Sequence, residues 1–167
     1  DMQSLADTVE RIPYMQELMS LDEANVSLPA GTTRTAKVQA RVNQGFFRSA
    51  VLSAYNRKCC ITGLDVPSLL IASHIKPWKD SDPKTERTNP CNGLSLNTLH
   101  HDAFDDGIFT IDTDYRIIVS KTAKDLYTSD VFHDFFSKYE GRTITLPERF
   151  LPSKKMIEYH NSKLSGF

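Results

Sequence analysis

Hydrophobic and polar positions in the first third of the chain follow two different periods. Apolar residues recur at nearly the helical period over 4–19, which predicts a helix. The segment 21–33 contains a Pro-Ala-Gly sequence and is predicted to be a linker. The strict alternation over 35–42 is typical of a strand, although the same segment also fits the start of a helix. The period over 44–58 is helical. Its apolar face contains Phe47, Val51, Leu52 and Tyr55.

Two short apolar runs then predict a pair of strands around a polar loop. The first run covers 68–72 and ends at His74. The loop, 79–91, contains prolines that rule out a regular central strand. The second run, 94–96, begins after Asn92 and a glycine, a dipeptide that is common at turns. The sequence therefore predicts a hairpin with a long connection.

A helix is predicted directly after the second strand. It covers about Thr98 to Asp105, and Gly107 is placed to end it. The remaining predicted elements are a hairpin over 108–120, a helix over 130–139, a strand over 142–146 and a helix over 153–164. This order of helices and strands indicates the α+β class.

Composition is that of an ordinary soluble globular protein. The 167 residues are 40% hydrophobic and 25% charged. No apolar run approaches the ~20 residues of a membrane span. Cys59, Cys60 and Cys91 are odd in number and include no Cys-x-x-Cys pair, which predicts reduced thiols, a cytoplasmic location and no structural zinc. The chain begins at Asp1, and whether it is a fragment of a longer polypeptide stays open.

Charge is distributed unevenly, although the net charge is only −1. Residues 1–31 carry six acids and one base, whereas 32–64 carry six bases and no acid. A positive segment of this length suits nucleic-acid phosphates, but charge alone favours a solvated helix face.

Three residues around the predicted hairpin have the chemistry of a hydrolytic metal site. His101 and Asp105 are four residues apart and share one helix face, where imidazole and carboxylate form half of a divalent metal site. His74 lies across the hairpin, and an imidazole is suited to deprotonate a water molecule near neutral pH. Taken singly, these residues have ordinary explanations: a core histidine, a surface His100-His101 pair, a helix stop, or a turn at Asn92. Their order and spacing are more specific than any one of them.

The same segments resemble a known family. The sequences SHIKPW, NPCNGLSL and HHDAFDDGIFTID resemble the core of HNH endonucleases, the ββα-metal finger, and are most similar to restriction-type members. Upstream, RVNQGFFRSAVLSAYNRKCCITG is similar to the helix and Cys-x-x-Thr-Gly turn that precede this core. Downstream, DYRIIVS, GRTITLP and PSKKMIEYHN are similar to the closing elements. The resemblance covers roughly residues 41–162.

The resemblance implies an HNH ββα-metal core embedded in a small α+β domain, with flanking helices and a C-terminal β-hairpin. We predict two parts of the chain. The first is an acidic N-terminal helix with its linker, 1–33, and the second is an HNH endonuclease domain, 34–167. The catalytic core of the second part is expected at about 59–112.

Carried onto this sequence, the resemblance implies a role for each site residue. His74 is the general base, and Asn92 ties the loop backbone and so orients His74. His101 is the last histidine of the motif, a catalytic residue and metal ligand, and Asp105 is the second ligand. Ser73 stands where many HNH proteins have a further acidic or histidine ligand.

The hypothesis from the sequence is a DNA endonuclease of a restriction or other defence system, with one Mg²⁺ or Mn²⁺ ion per site. Its expected partners are DNA and a fused or associated target-recognition domain; a homodimer stays open, and no membrane is expected. Weaker DNA-binding candidates are Lys76, Arg41, Arg48 and Arg87. The alternatives are a catalytically weak or inactive HNH-fold nucleic-acid-binding module, a nuclease toxin, and a nuclease acting on RNA or branched DNA.

Overall fold

The computed structural model describes residues 33–167, with side chains from Asn43 onward. In chain order the elements are α1 (Thr33–Ala54), β1 (Leu70–His74), β2 (Gly93–Asn97), α2 (Thr98–Asp105), β3 (Phe109–Ile111), β4 (Ile117–Val119), α3 (Lys121–Leu126), α4 (Asp130–Phe135) and α5 (Lys154–Asn161). Single 3₁₀ turns cover Pro67–Leu69, Pro90–Asn92 and Ser137–Tyr139. This mixture of helices and small antiparallel sheets confirms the α+β class.

Helix α1 runs without interruption through the segment predicted as a strand, so the strand over 35–42 is wrong and its helical alternative holds. Once the segment 44–54 is helical, each preceding residue can join the helix by adding one hydrogen bond at small entropic cost. This gain outweighs the weak strand preference of a short alternating pattern. The predicted apolar face of α1 is buried. The helix stops at Ala54 because Asn56 and Arg57 both take a φ of 53°.

Strands β1 and β2 form an antiparallel pair that leads directly into α2, as predicted. Leu70 pairs with Asn97 at one end, and His74 pairs with Gly93 at the other. Asn97 then caps α2, since its Oδ1 accepts from the backbone N–H of His100 at 2.9 Å. The helix ends at the predicted place, with Gly107 at a φ of 69° just beyond it.

Gly93 allows α1 to approach β2 more closely than any other residue would. A Cβ atom at this position would lie 2.3 Å from Val51 Cγ2 and 3.0 Å from Phe47 Cζ. The glycine is extended, with φ −128°, so it is needed for space and not for backbone freedom. Because Gly93 is paired with His74, this close approach brings the face of α1 to the end of β1.

The C-terminal half follows the predicted pattern with two exceptions. The hairpin of β3 and β4, the helices α4 and α5 and their approximate positions are confirmed, whereas α3 was not predicted. The predicted strand over 142–146 is wrong, and a single bridge joins Arg116 to Thr143. Two residues later the chain no longer pairs with the hairpin, because Thr145 N donates to Cys60 O at 2.8 Å.

The core joins all these elements around α2. Its fully buried large side chains include Phe104, Phe109, Leu94, Leu96 and Ile157. The predicted helix at 4–19 and nearly all of the predicted linker lie outside the described residues. Among residues 33–167, no helix has the length and apolar character needed to cross a membrane.

Candidate active site

His74, at the end of β1, is held on three sides. Its Nε2 donates to the backbone carbonyl of Arg87 at 2.8 Å. The Phe47 ring stacks on the imidazole with centroids 3.9 Å apart and planes at 11°. Trp78 meets it edge-on at 5.7 Å and 87°. These contacts leave the ring little rotational freedom, and they come from three separate parts of the chain.

The carbonyl contact assigns the tautomer of His74. A carbonyl oxygen only accepts, so Nε2 carries the proton and Nδ1 of the neutral ring carries the lone pair. Burial lowers the pKa of His74, against smaller opposite effects from the Arg87 hydrogen bond and the charge of Asp105. The neutral, proton-accepting form is therefore favoured at neutral pH.

Asn92 ties together the loop that follows His74. It is fully buried, its Oδ1 accepts from Lys76 N at 2.8 Å, and its Nδ2 donates to Lys76 O at 3.1 Å and to Ser81 Oγ at 3.2 Å. Its own carbonyl accepts from Ile75 N at 2.9 Å. The amide thus replaces strand pairing where Pro77 prevents it, and the backbone that follows His74 is fixed.

His101 and Asp105 lie together on α2, on the face expected from their spacing. His101 Nε2 is 3.8 Å from Asp105 Oδ2, which is too long for a hydrogen bond. His101 Nδ1 lies 3.0 Å from the hydroxyl of Ser73, a fully buried residue of β1. Partial burial raises the pKa of Asp105, and the neighbouring His101 opposes that rise.

His100 has a different environment from its neighbour. It is 1% exposed, and its Nε2 donates to Phe135 O at 2.8 Å. Its ring lies among Phe109, Phe136 and Tyr139, with centroid distances of 5.3–6.0 Å. Of the two adjacent histidines, only His101 faces the site.

The predicted DNA-binding side chains are largely engaged within the protein. Arg48 donates to the carbonyls of Leu70 at 2.6 Å and Pro67 at 3.1 Å. Arg87 Nε donates to two loop carbonyls at 3.1 Å, and its guanidinium lies 5.2 Å from the Trp78 ring. The ammonium group of Lys76 is 2.6 Å from Glu86 Oε2. The fourth candidate, Arg41, has its side chain outside the described part, so DNA contacts by all four stay predictions.

One cavity joins these groups. It has a volume of about 670 Å³ and is lined by His74, His101 and Asp105. Lys79 of the loop also lines it, and other lining residues come from outside the predicted core, among them Phe47 and Arg48 of α1 and His160, Lys163 and Leu164 at the end of α5. We call this the active-site cavity. Sequence reasoning placed Phe47 on a core face and missed its contact with His74, although the motif that resembles HNH enzymes includes this phenylalanine.

Comparisons with known proteins relate the chain to one family and one fold. Residues 59–112 match the family model described as HNH endonuclease. Among solved structures, the chain is similar to a "Modification dependent TagI restriction endonuclease", with a TM-score of 0.51 and 21% sequence identity. That likeness shows a shared fold; it covers 71% of this chain but only 37% of the other. No curated protein matches the chain.

Proposed function

We propose that the chain is an HNH nuclease that hydrolyses phosphodiester bonds in DNA with His74 as the general base; residues 59–112 match the HNH endonuclease family model. One observation carries this proposal. A neutral imidazole, fixed by a backbone carbonyl and a stacked ring, lines the same cavity as the His101–Asp105 pair. A histidine with only a structural role would not need to line an open cavity.

His74 accepts a proton in the proposed reaction. Nδ1 takes the proton of a water molecule while the water oxygen attacks phosphorus, and the bond from phosphorus to the leaving sugar oxygen breaks. The Arg87 carbonyl accepts from Nε2 and so stabilises the imidazolium that forms. Phe47 and Trp78 keep the ring in place during the transfer.

His101 and Asp105 would hold a divalent metal ion. An imidazole nitrogen and a carboxylate oxygen 3.8 Å apart, both facing a solvent-open cavity, fit Mg²⁺ or Mn²⁺, which accept such ligands and retain water. The described residues contain no cluster of three or more potential metal-ligating side chains, so phosphate and water oxygens would complete the coordination. When bound, the ion supplies charge stabilisation at the phosphate and the leaving oxygen.

Ser73 orients the metal-binding histidine. If His101 Nε2 faces the ion, its Nδ1 carries the ring proton and donates to Ser73 Oγ, at 3.0 Å. The buried hydroxyl therefore fixes both the ring angle and the tautomer. Ser73 would therefore orient the metal ligand His101, whereas many HNH proteins have a metal ligand at the position of Ser73.

Target choice is proposed to depend on parts beyond this core. The proposed site would contact the scissile phosphate, and phosphate contacts carry no sequence information. The chain spans 37% of the longer restriction endonuclease that it resembles in fold. We therefore propose a fused or associated recognition domain and a role in restriction, in the cytoplasm, where free cysteines such as Cys59 and Cys60 persist.

The test is nicking of supercoiled plasmid with and without Mg²⁺ or Mn²⁺. The protein should nick DNA only with metal, and His74→Ala should abolish nicking while His133→Ala, at an exposed histidine on α4, should not. His101→Ala should weaken Mn²⁺ binding measured by calorimetry. Equal nicking by His74→Ala and the unaltered protein would exclude this mechanism. Metal-independent binding without any cleavage would favour an inactive HNH-fold module, and preferred cleavage of RNA would reassign the substrate.

A further inference from the structure

The active-site cavity has a positive rim, although the whole chain has a net charge of −1. Three cationic side chains line it, Arg48, Lys79 and Lys163, against the single carboxylate of Asp105. The guanidinium of Arg48 donates to two backbone carbonyls. Within residues 43–167, the ammonium groups of the two lysines make no such backbone contact, so they are the least engaged cations of this lining.

Lys163 is held at the rim by the end of α5. His160 Nδ1 donates to the carbonyl of Ile75, the residue after His74, at 3.1 Å. The His160 ring also stacks on Phe104 at 4.0 Å, with planes 2° apart. Lys163 N donates to His160 O at 3.0 Å, so the backbone of the lysine is anchored to the strand that carries the proposed base.

Lys79 is held at the rim by a tight turn. Asp80 N donates to Pro77 O at 2.9 Å, which closes the turn around Lys79. The hydroxyl of Ser81 donates to the same carbonyl at 3.0 Å, and the amide of Asn92 donates to that hydroxyl at 3.2 Å. The backbone of Lys79 is thus tied to the same buried asparagine that orders the loop after His74.

Both lysine side chains are exposed, and within residues 43–167 neither has a carboxylate partner. Lys163 Nζ lies 5.1 Å from the Tyr159 ring, a contact that guides the side chain without neutralising its charge. Other lysines in this region do have carboxylate partners, namely Lys76, Lys124 and Lys154.

We infer that Lys79 and Lys163 bind backbone phosphates of DNA on either side of the bond to be hydrolysed. The inference rests on the proposed function and adds two substrate-binding residues, one of them outside the HNH core. A strand that passes His74 brings one negative charge per phosphate into the cavity, and an exposed ammonium group binds such a charge without sequence preference. The lysines would add to any phosphate contact of Arg48 and Arg87, whose guanidinium groups are partly engaged by backbone carbonyls.

Binding of a short DNA duplex by fluorescence anisotropy, in EDTA so that no cleavage occurs, tests the inference. The affinity should be measured over a range of salt concentrations for the unaltered protein and for Lys79→Gln with Lys163→Gln. Each lost phosphate contact makes the slope of log affinity against log salt less negative by about 0.9, so the double variant should lose about 1.8. The matched control is Lys121→Gln with Lys155→Gln, which removes the same charge from exposed lysines outside the cavity lining.

The control pair should keep the slope of the unaltered protein. The inference is overturned if the two double variants have the same slope, or if the unaltered protein shows no salt-dependent binding of DNA. Cleavage is read separately with metal present: the lysine variant should raise KM and retain kcat. Failure of the proposed mechanism would instead appear as cleavage by His74→Ala, with the salt slopes unaffected.

Discussion

His74 is half-buried and His100 is buried, and their imidazoles share one kind of hydrogen bond in different surroundings. In both, Nε2 donates to a backbone carbonyl at 2.8 Å, aromatic rings surround the imidazole, and burial lowers the pKa. The region around His100 is closed by Phe109, Phe136 and Tyr139, whereas His74 lines a cavity. A fixed tautomer and a low pKa are therefore not sufficient signs of a general base; access to a substrate is also required.

The largest expected effect is that alanine at His74 lowers activity, whereas alanine at His100 lowers stability. His74→Ala should lower kcat/KM by about 10²–10⁴-fold, the usual contribution of a general base, with little loss of stability. His100→Ala should lower the free energy of unfolding by about 2–4 kcal/mol, because it leaves a cavity and an unpaired Phe135 carbonyl. Urea unfolding and cleavage kinetics on both variants check this. Loss of stability in both, with equal residual activity, would contradict the comparison.

The next effect concerns the close approach of α1 to the site. Gly93→Ala should cost about 1–3 kcal/mol of stability, since its methyl group overlaps Val51, and it should displace Phe47 from His74 and lower kcat. Adding Val51→Ala removes the overlapping Cγ atoms and should restore part of both quantities. Thermal unfolding and kcat for the single and double variants give the answer. An additive loss in the double variant would show that steric overlap is not the cause.

A smaller effect is expected on the pH profile. Phe47→Leu should let water reach the imidazole, so the pKa of His74 should rise from its lowered value toward 6.5. A general base acts when neutral, so the acid limb of kcat/KM should move to higher pH. The adjacent Phe46 is 60% exposed, and Phe46→Leu should leave the limb unchanged. If both variants have the same pH profile of kcat/KM, the stacked Phe47 ring does not lower the pKa of His74.

The smallest effect is on stability against pH. Burial lowers the pKa of His74, His100 and His160, so the unfolded chain binds more protons than the folded protein below about pH 6.5. Their contribution to stability should be complete above that pH and lost as the pH falls through the folded pKa values. Urea unfolding at pH 7.5 and pH 5.5 measures it. His133→Ala should leave the difference between the two pH values unchanged, because that side chain is about two-thirds exposed.

The secondary structure around α2 was predictable because it depends on residues within or next to each element. The ends of α2 depend on Asn97 and Gly107, and the spacing of His101 and Asp105 places them on one face of any helix. The strand prediction over 35–42 failed for the opposite reason. A short alternating run is compatible with either structure, and the neighbouring helix decided between them.

The sequence by itself determined the HNH motif, the hairpin and α2, and hence which side chains are candidates, because these follow from spacing within a few dozen residues. Only the tertiary structure decided what each candidate contacts. It placed the Phe47 ring on the His74 ring. It also brought Ser73 to His101, 28 positions away, and His160 to the carbonyl of Ile75, 85 positions away.

The tertiary structure also showed that Arg48 and Arg87 donate to backbone carbonyls while Lys79 and Lys163 do not. Such contacts depend on packing between distant segments, and no local pattern of residues encodes them.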